Sequence, residues 1–260
     1  MAAVSIVVPV FNQVHLTRRC LASLFDGATK PHELIVVDNN STDDTPEYLK
    51  SASVEGRKRG WTIQTITNSK NKGVSAAFNL GIKASRSDYV ILLNNDTWLM
   101  PGWDNAILEV AQKINGDMVG AYYYEGPFDE IQTPKLAKRF TSRNKGKYSD
   151  DWAAIMMCYK RSTFEKIGLF DERFFIGFED VDIRERMVRA GLKYYKVADC
   201  FIWHHSKGTR DSKHVRPGYE QESLKKFIEK WGFDPRPREN TRILKMKRKW
   251  NRFKNSLGLF

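Results

Sequence analysis

The chain has 260 residues, of which 43 are Lys or Arg and 31 are Asp or Glu, so its net charge is +12. With 41% apolar residues it is long enough to form one large α/β domain or two small ones. This composition excludes a disulfide-stapled miniprotein, a collagen-like repeat and a disordered acidic chain.

The cysteine pattern and the N-terminus indicate the compartment. Cys20, Cys158 and Cys200 cannot all pair within one chain and show no CxxC spacing, which favours a reducing environment. The N-terminus has no basic segment and reaches Pro9 after a short apolar run, which argues against a signal peptide. No apolar stretch reaches the roughly 18 residues that a membrane span needs. We therefore expect a cytoplasmic protein.

The first hundred residues alternate short apolar runs with helical patterns. The apolar runs predict strands over 5–10, 34–37, 61–67 and 89–93. Apolar residues at helical spacing predict helices over 16–24, from Thr45 onward, over 74–84 and from about Pro101 onward. This alternation predicts an α/β fold: one mostly parallel sheet with helices on both faces.

The second half of the chain is less regular. Residues 122–150 show no clear periodicity, so we expect a long loop near the site. Beyond it, the sequence predicts a strand over 152–159, a short helix over 162–167, a helix from the acidic cluster at 179–182 to Gly191, and a strand over 197–203.

Two polar clusters, D-N-N-S at 38–41 and N-N-D at 94–96, follow the second and fourth predicted strands. Ligands bind outside the carboxyl ends of strands in open α/β sheets, although the same residue types are ordinary turn and cap residues. Neither a G-x-G-x-x-G motif nor a P-loop is present, so a bound nucleotide diphosphate would need a metal ion as counter-charge. Asp96 and the neighbouring Asn94 are the oxygen ligands that Mg²⁺ prefers.

Acidic and histidine clusters mark two later positions. The carboxylates of Glu179, Asp180 and Asp182 either complement a helix dipole or include a general base, Asp180, kept ionised by the helix N-terminus with the other two as helpers or caps. His204 and His205 follow the last predicted strand, and histidine beside carboxylate suits Mn²⁺. Alternation in a strand sends the two rings to opposite faces, so we expect only one to bind a metal.

In their order along the chain, these motifs resemble glycosyltransferase family 2, the inverting enzymes of GT-A fold, and in particular its rhamnosyltransferase-like members. The resemblance covers residues 4–232 and rests on the blocks SIVVPVFN at 5–12, ELIVVDNNSTD at 33–43 and NKGVSAAFNLG at 71–81. The N-N-D cluster, in place of the family's D-x-D motif, then the E-D pair, the two histidines and K-W-G at 230–232 follow in the family's order.

The resemblance implies both a reaction and a site. A sugar would pass from a UDP- or dTDP-linked donor, with Mn²⁺ or Mg²⁺, to a hydroxyl of a glycan or lipid-linked acceptor in cell-surface polysaccharide synthesis. It implies Asp180 as the base beside Glu179, and Asp96 with His204 or His205 as metal ligands. It also implies a donor-binding set of Pro9, Phe11, Asp38, Asn40, Asn79, Asn94 and Asn95.

The C-terminal segment carries most of the positive charge. We expect a catalytic domain over 1–215, with a donor half to about residue 100 and an acceptor half after it, and a helical extension over 216–260. From residue 235 onward there are nine basic residues and one acid, which is +8 of the net +12. Apolar residues recur there at three- and four-residue intervals, at Ile243, Met246, Trp250, Phe253 and Leu257.

Such a tail is typical of a basic amphipathic helix that lies on an anionic membrane, here the inner face of the cell membrane. Alternatively, its apolar stripe packs on the catalytic domain or on a second chain, which would give a dimer. A third interpretation is that the tail and Lys135, Lys138, Arg139, Arg143, Lys145 and Lys147 track a phosphate backbone. The protein would then bind nucleic acid or glycosylate modified bases in DNA. A sugar-nucleotide-forming enzyme is disfavoured because its glycine-rich N-terminal signature is absent.

Overall fold

The computed structural model describes residues 4–126, 128–205 and 218–236, and within them the strands form one nine-stranded sheet. The elements of the first half are β1 (Val4–Val10), α1 (Val14–Gly27), β2 (Glu33–Asp38), α2 (Thr45–Lys58), β3 (Thr62–Thr67), α3 (Gly73–Ala84), β4 (Tyr89–Leu93), β5 (Thr97–Leu99) and α4 (Trp103–Ile114). Those of the second half are β6 (Met118–Glu125), α5 (Gln132–Asn144), β7 (Tyr148–Ser149), β8 (Met156–Lys160), α6 (Arg161–Ile167), α7 (Glu179–Arg189), β9 (Tyr194–His204) and α8 (Tyr219–Trp231).

The sheet has a parallel half and a mixed half. Its strand order is β3-β2-β1-β4-β8-β6-β9-β5, and β7 pairs with β9. The first four strands along the chain, β1 to β4, are parallel to one another. Beyond them, β8 runs antiparallel between β4 and β6, while β6 and β9 are parallel to each other. The predicted α/β fold is confirmed, with its parallel character concentrated in the first half.

Helices cover both faces of the sheet, as the sequence predicts. Alternate residues of β1 belong to two different hydrophobic cores. Ile6 and Val8 share one core with residues of α1, α2 and α4, whereas Val7 shares the other with residues of α3, α6 and α7. Side chains along a strand alternate between faces, so a strand covered on both sides must be apolar throughout. This burial explains why the first strands appear as continuous apolar runs.

The loop predicted over 122–150 is wrong. β6 runs through that region to Glu125, and the helix α5 and the short strand β7 follow. The residues that α5 buries, Thr133, Ala137, Phe140 and Asn144, do recur at helical spacing. Because two of these four residues are polar, the hydropathy pattern hides the helix.

Two strands differ from the sequence prediction, and the predicted C-terminal tail lies outside what the structure describes. The strand predicted from residue 152 begins at Met156, and β5 was not predicted at all. The amphipathic tail predicted at 243–257 lies outside the described residues. Within the described ranges, no helix combines the length and the apolar character needed to cross a bilayer.

A buried polar pair joins α4 to the segment before β2. The Oδ2 atom of Asp104 lies 2.9 Å from Nε2 of His32, and both side chains are fully buried. Thr29 donates to the same carboxylate from its amide and its hydroxyl, and the His32 ring packs against Trp61 and Trp103. Burial alone would raise the pKa of Asp104, but the hydrogen bonds from His32 and Thr29 outweigh it and lower the pKa to about 2.

This pair predicts a specific acid sensitivity. The pKa of Asp104 lies below the usual 3.8 of an aspartate, so the carboxylate stabilises the fold above about pH 4, and this stabilisation is lost as the pH falls towards about 2. We expect Asp104→Asn to lower the free energy of unfolding at pH 7 by about 2 kcal/mol. Urea unfolding between pH 7 and pH 2.5 measures both effects.

The matched control is Asp26→Asn, because the carboxylate of Asp26 is exposed and pairs with Arg59 at the surface. We expect the control to change stability by less than about 1 kcal/mol. Equal loss of stability with falling pH in wild type and Asp104→Asn would contradict the role given to Asp104.

Candidate functional site

The carboxyl ends of several strands meet at one edge of the sheet and open into a cleft of about 430 Å³. β1, β2, β4, β6 and β9 all end at this edge, because β8 reverses direction between β4 and β6. The polar and aromatic residues that line the cleft include Phe11, Asn39, Asn71, Asn94, Asn95, Asp96, Glu125, Phe175, Glu179, Asp180 and His204, and Pro9 lies among them. The cleft therefore lies at the edge of the sheet where open α/β folds bind their ligands.

Eight of the twelve residues predicted from the sequence line this cleft. They are Pro9, Phe11, Asn94, Asn95, Asp96, Glu179, Asp180 and His204. They come from β1, from the turn after β4, from the start of α7 and from the end of β9. The structure thus brings distant segments of the chain to one cavity.

The structure places the other four predicted residues away from the cleft wall. Asp38 is buried, and its Oδ1 accepts the backbone N–H of Ser41 at 2.9 Å. Asn40 is exposed with a φ of +67°, as is common in tight turns. Asn79 bonds the backbone of a loop beyond α6, and His205 is exposed. Their part in binding a donor or a metal stays a prediction.

Asp96, Glu125 and His204 meet in one corner of the cleft. Nδ1 of His204 lies 2.9 Å from Oε1 of Glu125, and its Nε2 lies 3.4 Å from Oδ1 of Asp96. The N–H of His205 donates to the backbone oxygen of Asp96 at 2.8 Å, which joins the end of β9 to the turn after β4. Sequence reasoning missed Glu125, although the apolar and tyrosine-rich run that precedes it is typical of a strand.

This corner suits a divalent cation. Oδ1 of Asp96 is buried and has no hydrogen-bond partner, which is costly for a carboxylate oxygen unless a cation or donor satisfies it. Burial would lower the pKa of His204, but the carboxylates of Asp96 and Glu125 outweigh burial and raise it. Among residues 4–126, 128–205 and 218–236, no group of three or more His, Cys, Asp or Glu side chains is arranged so that it could hold a metal ion as it stands. The residues thus favour positive charge without forming a closed cage.

The loop of residues 168–178, which we call the α6–α7 loop, carries one wall of the cleft. On one side it is held by α3. Val74 donates its amide to the oxygen of Phe175 at 2.9 Å, and the hydroxyl of Ser75 donates to the oxygen of Phe174 at 2.6 Å. The amide of Asn79 both donates to and accepts from the backbone of Phe170, each at 2.9 Å. These bonds explain why a polar side chain is buried on α3.

On its other side the α6–α7 loop is held by α8. The hydroxyl of Ser223 donates to the oxygen of Ile176 at 2.9 Å, and the ring of Tyr219 stacks on Phe175 with 4.3 Å between centroids. Lys226 donates to the oxygen of Arg173 at 2.9 Å. The loop therefore lies between two helices that are far apart in sequence.

The K-W-G motif at the end of α8 anchors the first turn of α7. Trp231 donates its indole N–H to Oδ1 of Asp182 at 2.9 Å, and Lys230 lies 2.6 Å from the same oxygen. Arg186 satisfies the other oxygen of this fully buried carboxylate at 3.0 Å. Asp182 is thus a structural anchor two residues after Asp180, rather than a group that faces the cleft.

The comparisons with known proteins identify the family. The family model described as "Glycosyl transferase family 2" matches residues 5–168. A relative from Mycobacterium tuberculosis (strain H37Rv), named "N-acetylglucosaminyl-diphospho-decaprenol L-rhamnosyltransferase", is 27% identical over 72% of this chain and 71% of its own length. "Uncharacterized glycosyltransferase EpsJ" from Bacillus subtilis is 26% identical over 65% of this chain, which spans only 51% of that relative.

Solved structures share the fold. GalNAc-T7, described with UDP, GalNAc and Mn²⁺, superposes with a TM-score of 0.67 at 17% identity, over 88% of this chain and 48% of that chain. The mannosyltransferase PcManGT from Pyrobaculum calidifontis, in complex with GDP-Man and Mn²⁺, gives a TM-score of 0.61 at 17% identity, over 88% and 64% of the two chains. The predicted GT-A fold is confirmed by these likenesses.

The contact of α3 with the α6–α7 loop predicts that Gly73 tolerates no side chain. Gly73 has a φ of +83°, and a Cβ there would lie 2.4 Å from the backbone oxygen of Phe175. We expect Gly73→Ala to cost at least about 2 kcal/mol of stability beyond the strain of the positive φ itself. It should also speed amide hydrogen exchange in residues 170–180.

Gly102→Ala is the matched control, because Gly102 has a φ of +77° and nothing within 4 Å of the added Cβ. Urea unfolding and exchange measured by mass spectrometry give the two readouts. If both variants lose the same stability and leave exchange in 170–180 unchanged, the close contact with Phe175 does not hold the loop.

Proposed function

Because the chain belongs to glycosyl transferase family 2, a family of nucleotide-sugar-dependent enzymes, we propose that it transfers a sugar, with inversion, from a UDP- or dTDP-linked donor to a hydroxyl of a glycan or lipid-linked glycan acceptor. The observation that carries the proposal is the cleft itself. It is lined by Pro9 and Phe11 from the end of β1, by Asp96 and His204 in its charged corner, and by Asp180 from the start of α7. One cavity thus offers a surface for a nucleobase, a site for a cation, and a carboxylate that can act as general base.

The donor's nucleoside would lie against the β1 side of the cleft. Pro9 and Phe11 are half-buried at the end of β1 and give a flat apolar surface. Asn39 is fixed beside them, since its amide donates to the oxygen of Gly73 at 3.1 Å and its oxygen accepts from Asn68 at 2.8 Å. Asn94 and Asn95 line the adjacent turn, where Asn95 also donates to Thr17. These groups hold the donor without a phosphate-binding glycine loop.

Asp96 and His204 would hold Mn²⁺ or Mg²⁺, with Glu125 orienting the histidine. A carboxylate that accepts the Nδ1 proton of a histidine leaves the Nε2 lone pair directed at the metal. Nε2 of His204 is the atom that faces Asp96. When bound, such a cation neutralises the charge that builds up on the departing diphosphate. The protein's part is to present one buried carboxylate oxygen and one ring nitrogen towards the same point.

Asp180 would accept the proton of the acceptor hydroxyl. It lies in the first turn of α7, where the helix N-terminus favours its ionised form. The attacking oxygen then approaches the anomeric carbon from the face opposite the diphosphate, so the configuration inverts. Burial, and after it the charges of Glu125 and Asp180, raise the pKa of Tyr123, which therefore remains a neutral phenol beside the base.

The relatives suggest the acceptor class. The M. tuberculosis relative acts, by its name, on N-acetylglucosaminyl-diphospho-decaprenol. A lipid-linked acceptor of this kind fits an enzyme of cell-surface polysaccharide synthesis that works in the cytoplasm at the inner face of the cell membrane. We propose this location for the protein, and a divalent metal as its cofactor.

The donor and the metal can be tested together without knowing the acceptor. We expect one of UDP, dTDP, GDP and CDP to raise the thermal midpoint when Mn²⁺ is present, because a ligand at about 100 times its Kd stabilises a fold by roughly 2.7 kcal/mol. Asp96→Asn should abolish the part of the shift that depends on Mn²⁺. Thermal unfolding with each nucleotide, with and without Mn²⁺, is the measurement, and no shift with any pair would contradict the proposal.

The base can be tested by Asp180→Asn. We expect the transfer rate of this variant to be between about 10²-fold and 10⁴-fold lower than that of wild type, which is the usual contribution of a general base. The thermal shift with nucleotide and Mn²⁺ should be kept. Transfer is measured from labelled donor to N-acetylglucosaminyl-diphospho-polyprenol.

The control is Asp151→Asn, an exposed residue outside the cleft wall, which should leave the rate unchanged. An Asp180→Asn enzyme with wild-type activity would remove Asp180 from the proposed mechanism.

A further inference from the structure

The helix α5 presents opposite faces to the protein and to solvent. Its buried side packs on the sheet, where Phe140 stacks on Tyr122 at 4.3 Å and contacts Phe201. Its outer side is basic: the exposed cations are Lys135, Lys138, Arg139 and Arg143, and Lys145 and Lys147 continue the series after the helix ends. The region that the sequence predicts as a loop is thus an ordered basic surface.

These six cations, which we call the α5 basic face, lie on a stretch of chain that has no acidic residue of its own, between Asp129, which interacts with Lys135, and Asp199, which accepts the N–H of Gly146. Residues 132–147 contain no Asp or Glu. At the end of α2, by contrast, Arg59 bonds both Glu55 and Asp26. None of the six cations takes part in an ion pair with the residues that the structure describes, and Lys147 donates only to the amide oxygen of Asn144. The face therefore attracts an anionic partner.

Exposed apolar side chains flank the α5 basic face. Ile131, Leu136 and Tyr148 are 63%, 38% and 55% exposed, and they are among the most exposed large apolar residues of the described chain. Cations mixed with protruding apolar groups suit a lipid surface, where the apolar groups enter the interface and the cations meet headgroups. A nucleic acid backbone would bind the cations, but it has no apolar layer into which an exposed isoleucine could insert.

The α5 basic face begins beside the cleft. β6 ends at Glu125 on the cleft wall, and the segment that leads from it to α5 packs Phe128 on Trp203 with 4.7 Å between ring centroids. Trp203 in turn donates its indole N–H to the oxygen of Gly126 at 2.7 Å. Since His204 follows Trp203, the start of α5 is anchored to the same strand end as the charged corner of the cleft.

We propose that the α5 basic face docks this protein on an anionic phospholipid surface. The bound lipids are recognised by six cations and by Ile131, Leu136 and Tyr148, independently of the tail beyond residue 236. The reason for docking rests on the proposed function, because a lipid-linked acceptor is presented at such a surface. The docking itself is a binding property and is tested without any transfer reaction.

The test compares sedimentation of the full chain with vesicles of phosphatidylcholine alone and with vesicles containing 30% phosphatidylglycerol, an amount chosen as roughly that of an anionic leaflet. The variant Lys135→Glu/Lys138→Glu/Arg139→Glu should bind the anionic vesicles at least about tenfold more weakly than wild type. Binding by wild type should fall with added salt, because exposed charges are screened. Neither protein should bind the neutral vesicles appreciably.

A charge-matched control separates this face from net charge. Lys58→Glu/Lys83→Glu/Lys113→Glu alters three exposed lysines on α2, α3 and α4 and should stay within about threefold of wild type, since these positions lie outside the docking face. A second variant, Ile131→Ser/Leu136→Ser, keeps the charge and should also weaken binding to the anionic vesicles. The thermal shift with nucleotide and Mn²⁺, measured on the same samples, reports whether each variant retains its cleft.

Two outcomes would overturn the proposal. If the α5 charge variant binds anionic vesicles as well as the charge-matched control, another part of the chain carries any membrane binding. If the α5 variant instead loses affinity for a DNA or RNA duplex while its vesicle binding is unchanged, the partner is a nucleic acid. Either result would leave the proposed transferase function standing, because nucleotide binding is measured separately.

Discussion

The α6–α7 loop is held from two sides by hydrogen bonds to its backbone, and the geometry of the cleft depends on this double attachment. Asn79 of α3 binds the start of the loop and Ser223 of α8 binds its end, while Trp231 fixes Asp182 in the helix that follows. Asp180 therefore cannot shift without breaking several buried contacts. The family match ends at residue 168, so the helix that completes this wall lies beyond it.

Two kinds of buried carboxylate occur among the residues that the structure describes. Asp104 and Asp182 have hydrogen-bond partners for both oxygens, and each joins elements that are distant in sequence. Asp96 is different, because its Oδ1 is buried without a hydrogen bond and faces a histidine ring at 3.4 Å. A fold gains nothing from such an oxygen by itself. The contrast separates carboxylates that stabilise the structure from the one that we propose as a metal ligand.

The sequence predicts the parallel half of the fold well, since in buried strands such as β1 and β4 nearly every residue is apolar. It also predicts most of the cleft, because Asp96 and His204 follow strands whose ends must meet at one edge. The sequence prediction fails where the buried residues are polar. Because α5 buries Thr133 and Asn144, its hydrophobic residues do not show a helical period. Asn79 carries no sign that its amide binds a loop over 90 residues away, and Glu125 was missed with its strand.

We propose that Asp96 and His204 hold a divalent cation against the diphosphate of a donor in this cleft. A crystal structure grown with Mn²⁺ and the stabilising nucleoside diphosphate, with data collected at the manganese edge, tests it most directly. We predict one strong anomalous peak that contacts Oδ1 of Asp96, Nε2 of His204 and the diphosphate. The nucleobase of the bound nucleotide should lie against Phe11. A nucleotide bound outside the cleft, or a manganese peak that contacts neither Asp96 nor His204, would contradict the account.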